Sequence, residues 1–117
     1  MVENIALIPE VHQRMSIKKA ETLALDKLQV LNLQSIAMQR LNNCTAEEIF
    51  YVMYIRALMM PQNDLVIKVP YAITESLKDI QSIIKTMLKL QSDKNIIILD
   101  LLGNEVYYEG SLCNIMR

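Results

Sequence analysis

The side chains that could carry chemistry in this chain are few and far apart. His12 is the sole imidazole, and the thiols are Cys44 and Cys113. Acid–base work by His12 would need a positioned partner, and the stretch Glu10-Val-His-Gln-Arg14 supplies none, so His12 reads as an exposed polar residue near a helix start. Cys44 precedes Thr45, where the start of a helix could lower a thiol pKa, but a turn cysteine without a reactive role is the simpler reading. Structural zinc needs four Cys or His ligands at short spacings, and His12, Cys44 and Cys113 fall short, so no metal is expected. Glycine occurs only at 103 and 110, which leaves no material for a GxGxxG turn, a phosphate loop or a nucleophile elbow. The sequence therefore predicts neither a cofactor nor an enzyme.

Three further constellations concern binding. Alternation along Glu105-Val-Tyr-Tyr-Glu109 puts Glu105, Tyr107 and Glu109 on one face and Val106 and Tyr108 on the other. A carboxylate pair like this could hold a divalent ion, but charges that blunt an edge strand are the simpler reading, and Asp100 reads as a turn residue. Exposed tyrosine is a common interface anchor, so Tyr107, Tyr108, Glu105 and Glu109 are the candidate surface for a protein partner. Lys78, Ser82, Lys85 and Lys89 follow one another at helical spacing. On a nucleic-acid reading, Lys78, Lys85 and Lys89 would meet phosphates, and the order helix, strand, helix, hairpin resembles a winged helix. That fold carries two helices between its first strand and its wing, whereas 74–91 shows no internal turn and the hairpin here is acidic. A solvated helix face is preferred, and DNA binding stays the alternative.

These residues must be positioned by a chain of 117 residues that is 52% hydrophobic, a length that suits one domain with an ample core. Twelve Lys and Arg against thirteen Asp and Glu leave a net charge of -1, so no global field recruits nucleic acid or anionic lipid. Two cysteines are too few for a disulfide framework, which points to reduced thiols in a cytoplasmic setting. The run Ile49 to Ile55 is closed in by Glu48 and Arg56, so no membrane span or signal-peptide core is expected.

The breakers Pro9, Pro61, Pro70, Gly103 and Gly110 are read as boundaries. Residues 1–15 form a leading arm. A long helix is expected over 16–41, with Ile17, Ala20, Ala24, Leu28, Leu31 and Met38 at helical spacing. Thr45-Ala-Glu-Glu48 is a capping box opening a second helix to about 60, which is apolar almost all round. A β-branched run at 65–69 predicts a strand, Leu77, Ile80, Ile84, Met87 and Leu88 predict a helix over 74–90, and 96–101 with 105–109 predicts a β-hairpin. The tail 111–117 is undetermined.

The predicted architecture is α+β: an N-terminal helical hairpin (16–60) packed with a C-terminal β-α-β-β unit (64–110) whose strands form one small three-stranded, antiparallel-type sheet. Two such apolar helices exceed what the rest of the chain hides, so a homodimer through them is expected, with Ile49, Phe50, Met53 and Leu31 in its interface. The function expected is that of a non-catalytic binding or regulatory protein, an inhibitor, adaptor or accessory factor such as phages and mobile elements encode. Its partners would be a second copy and another protein, engaged by the hairpin and the leading arm.

Overall fold

A computed structural model describes residues 1–68, 80–90 and 92–99. In chain order these form α1 (Val2–His12), α2 (Ile17–Val30), two short 3-10 turns (Gln34–Ile36 and Leu41–Asn43), α3 (Ala46–Met59), β1 (Asp64–Lys68), α4 (Ile80–Leu88) and β2 (Asn95–Leu99). None of these helices is long and apolar enough to cross a membrane.

The expected leading arm is a helix. In α1, Ile5 and Ala6 are fully buried, with Ile8 and Pro9 beside them. Pro9 lies inside the helix and cannot return an N–H to the Ile5 carbonyl, a defect worth about 3 kcal/mol in an isolated helix. Burying the side chains of Ile5 and Ile8 contributes about 1.5–3 kcal/mol each, enough to outweigh the proline. Both ends of α1 are tied down. At the start, the Val2 N–H donates to the Ala37 carbonyl (2.9 Å); at the end, the N–H groups of Gln13 (3.0 Å) and Met15 (3.3 Å) both reach the Pro9 carbonyl.

The long helix expected over 16–41 is also shorter than its periodicity suggests. Ser16 caps it, accepting from the Lys19 N–H at 3.3 Å, and Ala20, Ala24 and Leu28 are fully buried. The small alanines let α1 pack closely along α2. The helix stops at Val30 because Asn32 takes a left-handed conformation (φ 58°). The Leu33 N–H then donates to the Leu28 carbonyl (2.8 Å) and the Asn32 N–H to that of Gln29 (3.0 Å), the paired bonds of a Schellman motif with asparagine where glycine usually sits. Beyond it, Ile36 and Ala37 return to the core while Met38 is 87% exposed.

The second predicted helix is present as α3, and its capping box is formed. The Thr45 N–H donates to Glu48 Oε1 (2.8 Å) and the Glu48 N–H to Thr45 Oγ1 (3.1 Å). Tyr51, Val52, Tyr54 and Ile55 are buried, and the helix ends just before Pro61.

The sheet departs most from expectation. Among the described residues it has two strands, not three, and they run parallel, with Val66 opposite Ile97 and Ile67 opposite Ile98. A strand that returns through a helix re-enters in the same direction, so β1, α4 and β2 form a β-α-β crossover. Leu65, Ile67, Ile96 and Ile98 pack against the core, to which α4 contributes Ile83, Ile84 and Met87. Opposite them, Val66, Ile97 and Leu99 are 57%, 37% and 52% exposed, so the outer face of the sheet is open. Lys94 fastens β2 to the rest: its Nζ donates to the carbonyls of Met60 and Gln62, just past α3, and Asn95 Nδ2 donates to Asp64 Oδ1 at 3.0 Å. The predicted strand 105–109, the tail and the helix residues 74–79 lie outside the described residues.

Candidate interaction surface

The capping box that starts α3 and the core residues Tyr51, Val52, Tyr54 and Ile55 fix which side of this helix is left facing out. That side carries Ile49 and Phe50, both half-buried, and Met53, 51% exposed. The three lie at i, i+1 and i+4, so they form one short apolar strip. Arg56 borders it, with Nη1 3.8 Å from the Met53 sulfur and a buried Nε that has no hydrogen-bond partner among the described residues. The Phe50 ring meets Tyr51 edge to face at 5.7 Å, which fixes its orientation at the rim. Leu31, expected in the same interface, is 6% exposed and belongs to the core.

The two buried tyrosines of α3 differ in how their hydroxyls are served. Tyr51 donates to Glu47 Oε1 at 3.2 Å. Burial, reinforced by the Glu47 charge and hydrogen bond and opposed by the Thr86 side chain, pushes the Tyr51 phenol up to about 12. Burial also raises the Tyr54 phenol, and its hydroxyl has no hydrogen-bond partner among the described residues.

A second exposed apolar strip, which sequence reasoning missed, runs along α1. Leu7 is 49% and Val11 63% exposed, one turn apart, on the side opposite Ile5, Ala6 and Ile8. The signal is present in Val2-Glu-Asn-Ile-Ala-Leu-Ile, which repeats at helical spacing, but Pro9 reads as a boundary and masks it.

The remaining candidates do not converge. His12 ends α1 in solvent, and Cys44 is half-buried, its Sγ 3.4 Å from the Arg40 carbonyl that accepts from it. No group of three or more His, Cys, Asp or Glu side chains among the described residues could hold a metal ion. A cavity of about 80 Å³ between Lys27, Ile55, Leu58, Met59, Leu90 and Ser92 is room for water rather than for a substrate. Lys85 and Lys89 are exposed one turn apart at the end of α4. Lys78, Asp100, Glu105, Tyr107, Tyr108, Glu109 and Cys113 lie outside the described residues. Comparison with family models, with curated proteins and with solved structures found no match to this chain.

Proposed function

We propose that this chain is a non-catalytic protein-binding or regulatory protein that acts as a homo-oligomer. The observation that carries the reading is the apolar surface on the outside of its helical half, where Leu7, Val11 and Met53 are about half exposed or more and Ile49 and Phe50 lie beside Met53. Surface of this kind, grouped in strips on rigid helices, is what protein interfaces are made from. With two strips on two helices, one can join copies and the other remain open to a different protein.

The test is sedimentation of the intact chain at micromolar concentration alongside binding of an apolar dye. A dimer or larger species supports the reading; a monomer that binds no dye overturns it. DNA binding is the second reading, favoured by the exposed pair Lys85 and Lys89. It requires salt-dependent retention of DNA that is lost when both lysines become alanine.

A further inference from the structure

We infer that two copies of this chain meet through α1, packed antiparallel about a two-fold axis with Leu7 of each copy against Val11 of the other. The inference rests on the reading that the chain self-associates, and it names where. The exposed side of α1 includes the line Glu3, Leu7 and Val11, each four residues after the last, with half-buried Glu10 and exposed His12 beside it and exposed Arg14 just beyond the helix. Four residues span about 6 Å of helix, so Leu7 and Val11 present two apolar knobs in a row with an acid about 6 Å before them and Arg14 two residues past the end of the helix.

That order decides the orientation. A parallel pair would set Glu3 against Glu3 and Arg14 against Arg14. An antiparallel pair with Leu7 opposite Val11 brings Glu3 of each copy to within about a turn of Arg14 of the other, twice over. It also opposes the two helix dipoles, N-terminus to C-terminus. Arg14 has a left-handed backbone (φ 50°) and the Met15 N–H is tied back to the Pro9 carbonyl, which keeps the Arg14 backbone close to the end of α1. A stripe at i and i+4 is the ridge that interdigitates in the commonest class of helix packing.

The pairing is tested with two variants that each break it alone and repair it together. Leu7→Lys puts two ammonium groups against Val11 in its homodimer, and Val11→Glu puts two carboxylates against Leu7; each is expected to weaken association at least ~10-fold. Mixed in equal amounts, they form a heterodimer in which the ammonium introduced at position 7 of one copy faces the carboxylate introduced at position 11 of the other, and the second contact is the native Leu7 against Val11. Sedimentation equilibrium should give a dimer for the native chain, monomers for each variant and a dimer for the mixture. Both residues are exposed, and circular dichroism with thermal melting checks that each variant stays folded. If the native chain is a dimer and either variant remains one, the α1 interface is refuted while self-association stands. If the variants are monomers and the mixture does not associate, the antiparallel register is refuted. A native chain that stays monomeric well above micromolar concentration refutes both.

Discussion

Replacing Tyr54 by phenylalanine should stabilise the protein. Tyr54 is 3% exposed, lies on the buried side of α3, and its hydroxyl is enclosed without a hydrogen-bond partner among the described residues. In the unfolded chain that hydroxyl is bonded to water, so folding leaves it unsatisfied at a cost of about 1–3 kcal/mol. Phenylalanine keeps the ring and its packing and removes the polar atom. The oxygen's departure leaves a void smaller than a methyl group, which costs under ~1 kcal/mol, so the net gain is about 1 kcal/mol. At ~2 cal/mol/K of unfolding entropy per residue, 117 residues convert this to a rise in Tm of about 4 °C. Tyr51→Phe is the internal control. Its hydroxyl donates to Glu47, so the same change should lower stability or leave it unchanged. Calorimetry of the two variants reads both signs. A Tm for Tyr54→Phe that falls by more than about 2 °C would mean that the hydroxyl is satisfied in solution, and the reasoning would fail.

Other consequences follow from individual hydrogen bonds and shifted groups. Thr45→Ala removes the acceptor for the Glu48 N–H and should cost about 1 kcal/mol in urea unfolding; adding Glu48→Ala should cost less than the sum of the two single changes, because the box is reciprocal. Asn32→Ala forces a Cβ residue without a local polar group into the left-handed conformation that ends α2 and should lower stability by about 1 kcal/mol, whereas Asn32→Gly should leave it unchanged or raised. Tyr51 and Tyr54 hold their protons more tightly when folded than unfolded, so their contribution is intact below the unfolded phenol pKa of ~10 and is lost as pH rises through the folded value, about 12 for Tyr51. Urea midpoints measured at about pH 9, 10 and 11 should fall across that series in the native chain and fall less in Tyr54→Phe; a flat profile would contradict both burial assignments.

Where local chemistry decides an element, the sequence reads directly. The reciprocal pair Thr45 and Glu48 announces α3, Ile84 and Met87 announce the buried side of α4, and the runs at 65–69 and 96–101 contain most of β1 and β2. Where partners far along the chain decide, it does not. Ile83, left out of the expected stripe, is buried in the common core, and Leu88, included in it, is 46% exposed. The direction of β2 depends on the crossover, which the composition of the strand does not record. Leu31 shows the same limit at the candidate interface: as an apolar residue on a helix it fits a dimer contact as well as a core, and only the turn at Asn32 puts it inside.

The misplaced boundary at Pro9 matters most, because it changes what the first fifteen residues are for. As an arm, they would be a free segment for catching a partner. As α1 they complete the core against α2 and α3, and Ile5 and Ala6 could not be withdrawn to bind anything without opening it. What the helix can offer is its outer side alone, and that side is rigid because the inner one is packed. A rigid helix loses less conformational entropy on association than a flexible arm would. The proline that hides α1 from sequence reading does not unmake the helix: packing holds it through its defect, and the same packing leaves Leu7 and Val11 at the surface.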